Sequence, residues 1–212
     1  MTRDRLADRD AVAFGFAALC AVAGLLIWML WVLPIADSVR ESEAAPLDRQ
    51  LTVELDAGER VGIWGAGISA MLGTMQCSVI APDGTELALR GGPSLDWDDT
   101  LWWMTPKRGF EQADQFTAVD AGTHTVTCSD SLDTYDGEFL VAGDTFGSGS
   151  IGLGRNGGSD FAVGSILAIS AVLCPLIIIL LPGVILIRRL VTRGRRRRAR
   201  DDDAAWTASN EG

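Results

Sequence analysis

The chain of 212 residues contains one histidine, one lysine, one tyrosine and four cysteines, and no charge inside either of its long apolar runs, 11–35 and 161–187. Each scarcity excludes a class of chemistry. Two of the cysteines fall inside the apolar runs and the other two are expected to pair as a disulfide, so the one histidine is left without the three or four ligands of a zinc centre. Uncharged spans leave no proton relay or ion path, which removes channel and transporter roles. Six of the twelve residues from 147 to 158 are glycine, but no lysine follows at the spacing of a phosphate-binding loop. No cofactor motif is present, and no cofactor is expected. The one lysine stands against 17 arginines, a bias typical of a GC-rich bacterial genome.

What is present organises the chain. At about 1.5 Å per residue, each apolar run is long enough to cross the roughly 30 Å hydrocarbon core as a helix. Residues 11–35 and 161–187 are therefore expected to be transmembrane helices embedded in a lipid bilayer. Arg188, Arg189, Arg193, Arg195, Arg196, Arg197, Arg198 and Arg200 follow the second run. Such basic clusters are retained on the cytoplasmic side and anchor at the anionic membrane surface. Residues 188–212 are thus expected to be a cytoplasmic tail, basic and then acidic, the acidic end disordered. Two crossings put residues 1–10 inside as well and the centre of the chain outside, at a plasma membrane. Ser42-Glu43-Ala44 offers a signal-peptidase spacing, but the first run is too long for a signal h-region and ends in Trp28, Trp31 and Pro34, so an uncleaved span is expected.

The net charge of −10 divides as 0 for residues 1–10, −14 for 36–160 and +4 for 188–212. An outer region this acidic repels nucleic acid, and no nucleic-acid partner is expected. Within it, 36–50 reads as a charged linker, 51–146 as the folded domain and 147–160 as a glycine-rich tether on which that domain tilts. Short alternating runs at Leu51–Leu55, Val61–Trp64, Met75–Ile80, Thr85–Leu89, Phe116–Val119, Thr123–Cys128 and Glu138–Val141, separated by turn residues, predict hairpins and a meander. The expected fold class is a mainly β extracytoplasmic domain, a β-sandwich of Ig-like or jelly-roll type, between two transmembrane α-helices. Cys77 and Cys128 lie in strand-like runs on the oxidising side and are expected to form a disulfide. The loop they close spans 51 residues, which chain entropy values at roughly 4 kcal/mol. Cys20 and Cys174 fall at similar depths in the spans, as packing residues.

The stretch Val119-Asp-Ala-Gly-Thr-His-Thr-Val-Thr-Cys128 resembles strand F of immunoglobulin-like domains, with His124 in the tyrosine place and Cys128 four residues on. It is equally similar to a strand of bacterial jelly-roll domains. Either resemblance implies a sandwich and no particular activity.

Three constellations are candidate sites. Asp96, Asp98 and Asp99, and Asp130, Asp133 and Asp136, place oxygen ligands in loops where calcium could bind, without the EF-hand pattern. Trp97, Trp102 and Trp103 offer an aromatic platform for a ligand such as an envelope sugar or for a protein partner. If Trp102 and Trp103 lie on a strand, they face opposite sides. His124 with Asp120 and Ser129 or Ser131 would be the parts of a hydrolase, but alternation puts His124 on the face of Val126 and Cys128, so no catalytic residue is expected. Small-xxx-small pairs in the spans, Ala17/Ala21, Cys20/Gly24 and Gly164/Ala168, suit pairing with each other, a homodimer, or a membrane or envelope protein partner. The expected role is a non-enzymatic binding, accessory or envelope-organising module, the alternatives being a carbohydrate- or calcium-binding module and, last, a hydrolase.

Overall fold

The computed structural model describes residues 2–93, 95–148, 150–152 and 160–210, with side chains over 11–93, 95–148 and 162–192. Among the described residues, two helices are long and apolar enough to cross a membrane, Ala11–Glu41 and Val163–Thr192. The first comprises α1 (Thr2–Ile27), one π turn (Trp28–Val32) and α2 (Leu33–Glu41). The π turn has a local cause. Pro34 has no N–H for the next helical bond and its ring crowds the preceding turn, so the helix widens just before it and Leu33 N–H reaches Trp28 O. The chain divides into two compact units, Met1–Leu25 with Leu173–Gly212, and Leu26–Val172. In the first, Cys20 and Ala17 are buried, and a Cβ at Gly24 would lie 3.1 Å from Cys174 Cβ. Gly24 thus permits the close helix approach expected of a small residue in a span.

The second unit holds two antiparallel sheets. Strands β1 (Ala45–Pro46), β8 (Gly137–Gly143), β3 (Arg60–Gly67), β6 (Glu111–Thr117) and β5 (Arg90–Gly91) form one, in that order; β2 (Gln50–Leu55), β7 (Gly122–Asp130) and β4 (Met75–Ile80) form the other. A short α3 (Ile68–Met71) follows β3, and α4 (Trp97–Leu101) with a 3-10 turn (Trp102–Met104) precedes β6. One buried cluster draws on both sheets: Val61, Ile63, Phe116, Phe139 and Val141 from the first, Leu55, Met75, Val79, Val126 and Cys128 from the second.

The pairing differs from the local hairpins expected of the sequence. β2 pairs with β7 while β3 pairs with β6 and β8, and β6 and β7 belong to different sheets. The turns 56–59 and 118–122 are therefore arches between sheets. They support each other, since Gly58 N donates to Ala118 O at 2.8 Å and Ala118 N to Glu59 O at 2.9 Å. Alternation marks a strand and its buried face but not its partner, which is why the sequence suggested neighbours. The hairpin expected after β4 is present in outline: Glu86 bridges Ile80, Ala81 N donates to Thr85 O at 2.8 Å and Leu87 N to Val79 O at 2.8 Å, although Thr85–Leu89 is not a regular strand.

The larger sheet is apolar on both faces. Along β8, Phe139 and Val141 join the cluster shared by the sheets, while Leu140 and Ala142 point the other way, into a second cluster with Trp64, Val32, Ile35, Val39, Trp97, Leu101 and Ala168. That second cluster replaces the linker expected over 36–50. Residues 36–41 are helical, Ala36 and Val39 are buried, and β1 then pairs with β8. Asp37, Arg40 and Glu41 give this stretch the composition of a linker, but they occupy the outer side of the helix while its apolar side meets the sheet.

The segment expected as a free tether lies partly outside the described residues, at 149 and 153–159. Its described parts are β9 (Ser150–Gly152) and β10 (Asp160–Ala162), paired as a hairpin. Helix α5 (Val163–Asn210) continues through the tail that was expected to be disordered.

Candidate functional site

The chemistry-bearing residues gather where 26–41 and 163–172 meet the larger sheet. Trp28 Nε1 donates to Ala171 O at 3.0 Å, joining the two helical segments. Ser38 Oγ accepts from Gly143 N at 2.9 Å, and Ser42 Oγ donates to Val141 O at 2.7 Å, so the end of β8 is bonded to α2 and the residue that caps it. Lys107 Nζ donates to Ser42 O. On the other side, Ser165 Oγ donates to Leu95 O. A buried polar network shapes the approach to α5. Gln112 Oε1 accepts from Thr145 N at 2.7 Å and Thr145 Oγ1 at 2.6 Å, and Gln112 Nε2 donates to Asp144 Oδ1 at 3.0 Å. Asp144 also accepts from Phe146 N and Gly147 N, fixing the turn that delivers Phe146 O to Gly164 N at 3.0 Å.

Beside this junction α4 and the turn after it form a cleft of about 530 Å³, lined by Asp98, Trp102, Trp103, Thr105, Arg108 and Glu111 among others. A capping box starts α4: Asp96 Oδ1 accepts from Asp98 N at 3.1 Å and Asp99 N at 3.3 Å, and Asp99 Oδ2 accepts from Asp96 N at 3.1 Å. Trp97 Nε1 donates to Thr105 Oγ1 at 3.0 Å, and that hydroxyl donates to Asp98 Oδ1 at 3.2 Å. Asp98 Oδ2 is buried without a partner. Burial, then the charges of Asp96 and Glu111, push the Asp98 carboxyl up to about 7. Near neutral pH it can therefore present a hydroxyl as well as an acceptor oxygen. No ion pair within 4 Å links Arg108 to Asp98 or Glu111 among the described residues.

The tryptophans separate. Trp97 is only 1% exposed and meets Trp31 edge to face at 5.4 Å, so it is a packing residue and not part of a platform. Trp102 and Trp103 are 68% and 50% exposed. They lie on a 3-10 turn, not on a strand, so neighbouring residues need not point to opposite sides, and their rings contact each other at 5.8 Å with an 86° angle.

The acidic clusters do not converge as calcium sites. Asp96 and Asp99 cap α4. Asp130 accepts from Thr74 Oγ1 at 2.5 Å, Ser69 Oγ at 2.9 Å, Thr134 N at 2.9 Å and Tyr135 N at 3.0 Å, which holds its carboxyl well below the usual range. Asp133 and Asp136 are exposed. Among the described residues no three His, Cys, Asp or Glu side chains come together as metal ligands.

His124 is fully buried in β7 beside Phe116; its Nδ1 faces Gly122 O at 3.0 Å and its Nε2 has no partner. Neither Asp120 nor Ser129 nor Ser131 hydrogen-bonds to it. Cys77 and Cys128 form the expected disulfide, with an S–S distance of 2.06 Å. They are register partners on β4 and β7, so the bridge joins neighbouring strands of one sheet, whereas the disulfide of immunoglobulin domains joins two sheets. Arg188 and Arg189 lie on α5; the side chains of Arg193, Arg195, Arg196, Arg197, Arg198 and Arg200 fall outside the described residues.

Thr105, Arg108, Glu111 and the Gln112–Asp144–Thr145 network carried no pattern in the sequence beyond the turn signal of Asp144-Thr-Phe-Gly147. No protein-family model matches the chain, and no curated protein matches it in sequence.

Proposed function

We propose that the chain is a two-pass membrane protein that holds a non-enzymatic β-sandwich on the extracytoplasmic side of a bacterial plasma membrane, as an accessory or envelope-organising module. One observation carries this reading most: the larger sheet buries one face with the smaller sheet and the other against residues of the two apolar helices. A sheet packed on residues 32–39 and 168–171 suits a part that organises a membrane or envelope protein partner more than a sampler on a free tether. The disulfide favours an oxidising compartment, and the arginines beyond the second span favour a cytoplasmic tail.

The test is a Ser131→Cys variant, since Ser131 is an exposed turn residue beyond β7. A membrane-impermeant maleimide added to intact cells is expected to label it. Labelling only after lysis would invert the topology and end the proposal.

A further inference from the structure

We propose that the turn carrying Trp102 and Trp103 is a membrane-surface contact, seated in the headgroup layer of the bilayer that the two helices cross. The inference rests on the membrane-spanning reading and adds a lipid-binding surface to it.

Depth along the helices supports it. About 20 helical residues cross the hydrocarbon core. Counted outward from Ala11, a span of that length ends beside Trp31; counted back from Ile187, it ends beside Ala168. Both residues belong to the neighbourhood of α4: Trp31 is the residue whose ring meets Trp97, and Ala168 is buried in the same cluster as Trp97 and Leu101. The bond from Ser165 to Leu95 ties the start of this segment to the second helix at a similar height. Trp102 follows Leu101 directly, so its exposed ring and that of Trp103 stand beside the cluster that Trp31 and Ala168 enter.

The side chains there suit that layer. Tryptophan favours the interface because its body is apolar and its indole N–H can remain hydrated. Two adjacent exposed tryptophans would be an unusual surface for water alone. Arg108, exposed in the same loop, sets a positive charge beside the two rings in an outer region that is otherwise strongly acidic, and so lessens its repulsion from anionic headgroups there.

The experiment compares the full chain with a Trp102→Phe/Trp103→Phe variant, each reconstituted in phosphatidylcholine–phosphatidylglycerol nanodiscs with and without bromine near the headgroup end of the acyl chains. Subtracting the variant's emission isolates Trp102 and Trp103, and the variant retains Trp28 and Trp31 as a reference for the spans. Bromolipid is expected to quench most of the difference emission while aqueous iodide quenches little of it. Quenching of the variant's own emission without quenching of the difference emission would overturn this proposal alone. In that case sensitivity to iodide would mean a surface open to soluble ligand, and insensitivity to both a surface covered by protein. If bromolipid quenches neither, the membrane-spanning reading itself fails and the headgroup contact with it.

Discussion

The indole of Trp97 meets that of Trp31 edge to face, with centroids 5.4 Å apart and planes at 64°. One ring comes from a five-residue helix in the domain and the other from the π turn of the first apolar helix, so the pair fastens α4 to that helix. Trp97→Ala should cost about 3–5 kcal/mol, the usual range for deleting a buried tryptophan, and should expose the loop from 95 to 110. Thermal unfolding in detergent and limited proteolysis of that loop check this. Trp102→Ala, an exposed truncation in the next turn, should leave the unfolding temperature of the detergent-solubilised protein almost unchanged.

The order of apolar and polar residues was enough to locate the spans, most strands and the cysteine pair, because burial on one face leaves a period that a sequence displays. It could not show that β3 and β8 are buried on both faces. Arg60-Val-Gly-Ile-Trp-Gly-Ala-Gly67 and Gly137-Glu-Phe-Leu-Val-Ala-Gly143 are nearly continuous apolar runs, and their length alone does not say what covers the second face. The cover is α2, whose polar residues had suggested a linker. The candidate platform was half legible: three tryptophans were visible close together, but which of them faced solvent depended on a tight turn and on Trp31, some 66 residues earlier in the sequence.

Reduction of Cys77–Cys128 should weaken the domain without dissolving its pairing. β4 and β7 are hydrogen-bonded over six register positions, from Met75–Asp130 to Ile80–Thr125, and Val79 and Val126 remain in the core. A Cys77→Ser/Cys128→Ser chain should lose roughly 2–4 kcal/mol and still fold. Denaturant unfolding of the oxidised protein and the double variant, with the β signal in circular dichroism as control, measures the difference.

Two carboxylates should move stability with pH in opposite directions. Asp98 is held protonated up to about 7 in the folded chain and has its ordinary lower value when unfolded. Between those values the folded state binds the extra proton, so the contribution of Asp98 is full in acid and is lost as pH rises through about 7. Asp98→Asn should flatten that slope near neutrality. Asp130 is the reverse case: its carboxylate is stabilised by Thr74, Thr134, Tyr135 and Ser69, so its contribution is present above its ordinary value and is lost as pH falls through its depressed one. Asp130→Asn should lower the melting temperature at neutral pH, and its deficit against wild type should shrink as pH falls and the wild-type carboxylate is protonated. Melting temperatures of the three proteins across pH test both signs, and a neutral-pH Asp98→Asn chain no less pH-sensitive than wild type would remove the role given to burial.

Gly164 tests how closely the domain is built onto the second apolar helix. Its N–H donates to Phe146 O at 3.0 Å, and a Cβ added there would lie 1.7 Å from Thr145 O. That carbonyl cannot retreat freely, because Thr145 N and Oγ1 are both bonded to Gln112 Oε1 and the adjacent turn is bonded to Asp144. Gly164→Ala should therefore break the network or displace the first turn of α5, a loss of roughly 1–3 kcal/mol for one methyl group. The same substitution at Gly183, where an added Cβ would meet nothing within 4 Å, should be close to neutral. A matched pair of melting curves decides the point: similar curves for the two variants would mean that residues 144–147 move away from the helix at little cost, and that the domain is less firmly mounted than this geometry requires.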